Sequence, residues 1–191
     1  DKVMIRRDIS STTGGDEQSI SINGKVQIQE AEADDTLNGL AAQDFFIGAV
    51  DLSNGNAYDG EIAEMIFYVG DQTSDDIQRI ESYLAFKYGA SLDQTSATDY
   101  IASDGSTVMW DASAAFGTFV NNINGVGADA GSGLEKFKAK AETDEAVIKL
   151  TDSDDSITDL NFLTTASDTG TGTWTSFNVP SGWQRINRIW Q

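Results

Sequence analysis

The sequence predicts a mainly β protein of antiparallel sheets, with one α-helix near the middle and a second β-rich module after it. Three observations carry this prediction. Apolar residues alternate with polar ones on either side of an Asn-Gly pair at 23–24. One stretch, 73–88, has helical spacing with capping residues at both ends. Beyond Ser91, short apolar runs recur between Gly, Asp and Ser, the spacing of antiparallel β modules.

In chain order, "KVMIRRDIS" reads as a strand over about Val3 to Ile9, and "QSISINGKVQIQE" reads as a hairpin. Ile20 and Ile22 precede Asn23-Gly24, while Val26 and Ile28 follow. Both turn residues tolerate positive φ, which a tight hairpin turn requires. "DFFIGAV" (44–50) is a further strand, and "EIAEMIFYV" (61–69) is apolar enough to bury one or both faces in a core.

The helix follows. Thr73 is the expected N-cap, with Asp76 three residues on as the carboxylate of a capping box. Asp75 and Asp76 sit in the first turn, where the helix dipole favours negative charge, and Lys87 sits in the last. Gly89 supplies the residue that ends it. Ile77, Ile80, Leu84 and Tyr88 form the expected buried stripe. The strands read after it are "YIASD", "TVMWDA", "FVNNINGVG", "KFKAKAE", "AVIKLTD", "NFLTTA", "TGTWTSFNV" and "QRINRIWQ", with Pro180 in a turn before Ser181-Gly182.

A chain of 191 residues can bury a real core, and 39 % hydrophobic with 23 % charged residues is globular composition. Charge narrows the partners. Thirty-one acidic against twelve basic residues leave −19, which argues against nucleic acid and anionic membrane surfaces. Neither cysteine nor histidine occurs, which removes disulfides, thiol nucleophiles, His-based triads and ordinary zinc sites. No apolar run reaches the ~18 residues of a membrane span. The start at Asp1, without a methionine, reads as a piece of something longer.

"SINGK…FFIGA…YDGEIAEMIFYVGDQTSDDIQRIESYLAFKYG" resembles the C-terminal half of a concanavalin A-like, laminin-G-type jelly roll of bacterial surface proteins. The match runs through Gly60, Ile62, Ala63, Glu64, Tyr68, Ser74, Asp75, Glu81, Ser82, Tyr83, Leu84, Lys87, Tyr88 and Gly89, within roughly residues 20 to 92. "YIASDGSTVMWDA…INGVGADAGSGLEKFKAKA…RINRIWQ" is similar to a β-rich module that follows such lectin-like domains in very large, RTX-type bacterial adhesins and cell-wall proteins. That pattern has Arg and Asp where this chain carries Ala128 and Ala130.

The resemblance implies residues 1–93 as a partial jelly-roll sandwich closed by the helix at 73–88, and 94–191 as the second module. It further implies a non-enzymatic, structural or ligand-presenting part of an extracellular adhesin on the bacterial surface. Its partners would be neighbouring domains of the same parent protein, and cell-surface carbohydrate. The strands a complete jelly roll has before the hairpin at Asn23 would come from upstream in the parent protein, with another domain inserted between the halves; strand exchange with a second copy and loss by proteolysis are the alternatives. A carbohydrate-binding lectin domain is the alternative, and a glycoside hydrolase fragment the second alternative.

Individual residues bear on these readings. Glu61 and Glu64 are three apart on a strand and point to opposite faces, so they cannot form a retaining pair with carboxyls ~5–5.5 Å apart. "TDSDDSITD" (151–159) gathers Asp152, Asp154, Asp155 and Asp159, a density that suits calcium. It is no EF-hand, because Ile157 and Leu163 stand where Gly and Glu belong. "NGVGADAGSG" (124–133) offers either a cation loop beside Asp129 or a plain glycine-rich loop. Calcium is the expected cofactor. Trp110 beside Asp111, Trp174 between threonines, and Trp183 beside Gly182 are candidate sugar platforms, with core packing the competing use of each.

Overall fold

The computed structural model describes residues 3–8, 16–32, 48, 58–68, 72–113, 118–142, 147–168, 174–175, 181 and 185–186. These residues are mainly β, with one helix among them and every strand pair antiparallel. The first sheet has the order β1-β2-β3, from Val3–Asp8, Asp16–Ile22 and Lys25–Glu32. The predicted hairpin is present. Asn23 and Gly24 take φ of +52° and +82°, and Ile20 pairs with Ile28 across a bulge. Its tip rests on the helix side of the molecule, where the Asp93 N–H donates to the Asn23 carbonyl at 2.7 Å. The predicted strand at 44–50 lies outside the described residues, apart from Gly48.

The helix α1 spans Ser74–Tyr88 with its caps as predicted. Thr73 and Asp76 form the reciprocal box, the Asp76 N–H donating to the Thr73 hydroxyl and the Thr73 N–H to the Asp76 carboxylate. Gly89 ends it in the left-handed region at φ +65°. The buried face differs from the predicted stripe. Ser82, Ala85 and Phe86 are fully buried, whereas Tyr88 is exposed and Ile77, Ile80 and Leu84 are half-buried. Hydrophobic spacing marked the wrong face because Ser82 is buried for its hydroxyl, which accepts from the Ile101 N–H at 3.0 Å.

After the helix come β4 (Tyr100–Ile101), β5 (Val108–Trp110), β6 (Asn121–Asp129), β7 (Leu134–Lys136), β8 (Lys138–Glu142), β9 (Val147–Thr151), β10 (Asn161–Ser167), β11 (Trp174–Thr175) and β12 (Arg185–Ile186). β6 is central in the order β10-β6-β7, while β4-β5, β8-β9 and β11-β12 pair in twos. Ala85, Phe86, Leu92, Tyr100, Trp110, Ile123 and Leu134 belong to one core, so the helix shares its interior with the segment that follows it.

Residues 124–127, the end of the predicted strand "FVNNINGVG", lie in β6, and so do Ala128 and Asp129 of the run that also reads as a glycine-rich loop. Gly125 and Gly127 make room for aromatic rings. A Cβ on Gly125 would lie 2.5 Å from the Leu163 carbonyl oxygen and 3.0 Å from the Phe86 ring, and one on Gly127 would lie 2.2 Å from Phe162. The two rings meet edge to face, 5.4 Å apart at 83°. Lys136 clamps the same place from the side. Its ammonium donates to the Phe86 carbonyl and to Asn124 Oδ1, both at 2.6 Å. Burial pushes it down to about 8.

Gly125→Ala is therefore expected to lower stability by about 1–3 kcal/mol, because backbone on one side and a ring on the other leave the methyl no space. Urea unfolding of both proteins measures the difference, and an unchanged midpoint would mean that β6 shifts freely.

Candidate functional site

Residues 61–68 are predicted as a strand, but they take no regular secondary structure and join no sheet among the described residues. The reason is the absence of a partner strand along them among the described residues. Their fixed point is Glu64, whose Oε1 accepts from the Tyr83 hydroxyl at 3.0 Å and whose Oε2 accepts from Lys87 Nζ at 2.9 Å and the Tyr88 hydroxyl at 2.8 Å. Lys87 also donates to the Tyr83 oxygen at 2.5 Å. The helix supplies all three donors, Tyr83 and Lys87 from one face, four residues apart, and Tyr88 from the position next to Lys87. Burial pushes the Glu64 carboxyl up, but the bonds from Lys87, Tyr88 and Tyr83 outweigh it and hold the group below its ordinary value. Lys87 is raised by its bonds to Tyr83 and Glu64.

This knot forms one end of a cleft of about 660 Å³. Met65, Ile66 and Tyr68 line one side; Asp76, Arg79, Ile80 and Tyr83 of α1 line the second; Ile101, Met109 and Leu134 line the third. Arg79 is already ion-paired with Asp76, and its guanidinium lies against the turn at Gly105. Asp129 closes the far end. It is 2 % exposed, and its carboxylate accepts from the Ser103 N–H (2.9 Å), the Ser103 hydroxyl (2.5 Å) and the Gly131 N–H (3.1 Å). Burial raises its carboxyl, and the bonds from Ser103 and Ser132 more than reverse that. Asp129 thus ties the β4–β5 turn to the β6–β7 turn.

The other sequence candidates disperse. Asp159 accepts from the Ala130 N–H at 2.8 Å, beside the bridge from Ala128 to Asp159. Asp152 accepts from the Ile157 N–H at 2.8 Å, Asp154 from the Ser153 hydroxyl at 3.4 Å, and Asp155 sits in the turn at φ +50°. Among the described residues, no three carboxylates gather in a group that could hold a metal ion. Trp110 is 6 % exposed and packs edge-on to Tyr100 in the core, so its face is used inside. Asp111 next to it is exposed and accepts from the Ser113 N–H, and both border a smaller hollow of about 330 Å³. Trp174 pairs with Ile186 in β11, and Trp183 lies outside the described residues. Glu61 is exposed and apart from the Glu64 knot.

The knot went unread in the sequence. Its signal was present as Glu64 in "GEIAEMIFY" and the Tyr-Lys-Tyr set of the helix, but nothing local says that these segments meet. Among the described residues, no helix is long and apolar enough to cross a membrane. A family model for a domain of unknown function, DUF8202, matches residues 76–191. That is more than half the chain, and the chain belongs to this family. The match begins inside α1, in keeping with the core that the helix shares with the strands after it. No curated protein and no solved structure matches the chain.

Glu64→Gln keeps an acceptor oxygen but removes the charge that Lys87 faces. Since the folded carboxyl lies below its ordinary 4.5, its contribution is present above that pH and is lost as pH falls through the lowered folded value. The variant is expected to lose about 0.5–2 kcal/mol at neutral pH, a half-exposed ion pair being worth little more. In acid below that lowered folded value the two proteins should converge, because the native carboxyl is then protonated too. Paired urea melts at both pH values measure this, and a difference that persists unchanged in acid would contradict it.

Proposed function

We propose that this chain is a non-enzymatic, extracellular module of a large bacterial surface adhesin, with a structural or ligand-presenting role. The observation that carries the reading is what happens to the residues of the lectin-like motif. Glu64, Tyr83, Lys87 and Tyr88 are consumed by one another in the knot, and Ser82 and Gly89 by helix packing and termination. A motif spent on holding segments together serves architecture. Glu64, the one carboxylate of the pair that is partly sheltered, is neutralised by Lys87 instead of being presented to a sugar bond.

In this reading the chain is the returning half of a split jelly roll with the second β module behind it, holding an inserted ligand-binding domain away from the cell. Calcium stabilises it, a role supported by the net charge of −19 and the aspartates at 152–159. Polysaccharide incubated with the protein should release no reducing sugar, whereas turnover that disappears in Glu64→Gln would make it a hydrolase. Antibodies to the chain should label intact source cells, and labelling that requires permeabilisation would remove the extracellular assignment.

Calcium at ~100-fold excess over its Kd should add ~2.7 kcal/mol to native stability. Thermal midpoints in millimolar calcium and in chelator, compared at constant ionic strength, read this out. Equal midpoints would end the calcium part of the proposal.

A further inference from the structure

Lys136 is half-buried beside the ring of Phe86, 5.4 Å from its centroid, and among the described residues no carboxylate pairs with it. Its hydrogen-bond partners are neutral oxygens, the Phe86 carbonyl and Asn124 Oδ1, each 2.6 Å from Nζ. A sheltered ammonium without a counter-ion is costly. Burial pulls it down to about 8, so a sizeable share is free amine at mildly alkaline pH. A free amine is a nucleophile.

Asn124 presents a carbonyl to that amine. Its side chain is held at both ends and only 6 % of the residue is exposed. Nδ2 donates to the Lys140 carbonyl at 2.8 Å, and the Gly125 N–H donates to Oδ1 at 2.9 Å. Cγ lies one bond beyond the oxygen that Nζ already touches. The Gly125 N–H is placed to hold the negative charge that gathers on Oδ1 during attack. We propose that Lys136 Nζ and Asn124 Cγ become joined by an intramolecular isopeptide bond, with loss of ammonia. The amine turns its lone pair onto Cγ, the Nζ–Cγ bond forms, and the Cγ–Nδ2 bond breaks. One amine proton goes to Nδ2, which departs as ammonia; nothing is oxidised or reduced. The remaining N–H keeps the bond to the Phe86 carbonyl, and the unpaired charge is gone. Among the described residues no carboxyl group hydrogen-bonds to either side chain to relay the proton, so the bond forms slowly. The link fastens β7, the outer strand in the order β10-β6-β7, to the central strand beyond the pairs Gly127–Lys136 and Asp129–Leu134. It holds whether or not the parent protein is an adhesin.

The test is the mass of the full chain, kept folded for a week in mildly alkaline buffer. A product lighter by about 17 Da, one ammonia, should accumulate. Trypsin locates it. Without the bond, the chain yields peptide 88–136, since no Lys or Arg stands between Lys87 and Lys136. The bond blocks cleavage after Lys136 and gives 88–138 instead, lighter by the same ammonia. Further cleavage at Asp129 and Glu135 should leave the pieces carrying Asn124 and Lys136 joined. Lys136→Arg keeps a cation there and should keep its full mass. The native sequence held in urea should not cross-link, because the two side chains then no longer meet. If the variant fails to fold, the peptide map of the native chain still decides. Loss of ammonia that leaves Lys136 cleavable would be a succinimide at Asn124-Gly125, and a gain of about 1 Da there would be hydrolysis to aspartate; either overturns the proposal. So does an unchanged mass, or a cross-link that forms equally in urea.

Discussion

The ring of Phe86 seated on Gly125 is the contact on which the described part of the molecule depends. A helix can lie this close to a strand only where the strand has no side chain, and β6 provides Gly125 and Gly127 at alternate positions on one face. Phe162 from β10 takes the second vacancy and meets Phe86 edge to face. Helix, central strand and neighbouring strand are thereby fixed by two rings and two missing Cβ atoms. Lys136 then takes up the Phe86 carbonyl, one of those the helix leaves unpaired near its C-terminus. An apolar contact and a polar one meet at the same residue.

Once that face is set, the remaining faces of α1 have no freedom. Ser82 turns to the Ile101 N–H, and Tyr83, Lys87 and Tyr88 turn outward to Glu64. At Gly24, a Cβ would come within 3.0 Å of Glu81 Oε2 and 3.1 Å of Leu92, so the hairpin tip lies against the same helix. The helix is therefore less a lid on one sheet than a post to which several segments are tied. This also explains its burial pattern, in which a serine is fully buried while a tyrosine three residues from the helix core stands half in solvent.

Local features were the legible ones. The Asn23-Gly24 turn, the Thr73–Asp76 box and the Gly89 stop each depend on a few adjacent residues, and each is in place. What the sequence hid depends on distant partners. The glycines of "NGVGAD" read as strand or as loop with equal ease until Phe86 and Phe162 are placed over them. Asp129 looks like a cation ligand until Ser103, 26 residues earlier, turns out to donate twice to it. Residues 61–68 had the composition of a buried strand, yet composition states only that a segment is fit to be covered. It does not say that the cover is in the same place.

That distinction gives the segment 61–68 its meaning. Ordering backbone costs conformational entropy, on the order of 1–2 kcal/mol for each unit. In a sheet this cost is offset by ladder bonds and burial; along 61–68 the knot at Glu64, with three donors, contributes to that offset. Glu64 sits near the centre of the run, where a single anchor restrains the most backbone, and Met65 and Ile66 after it line the cleft together with Ile80 and Leu134. Part of the ordering cost of that lining is thus met within the chain by one carboxylate.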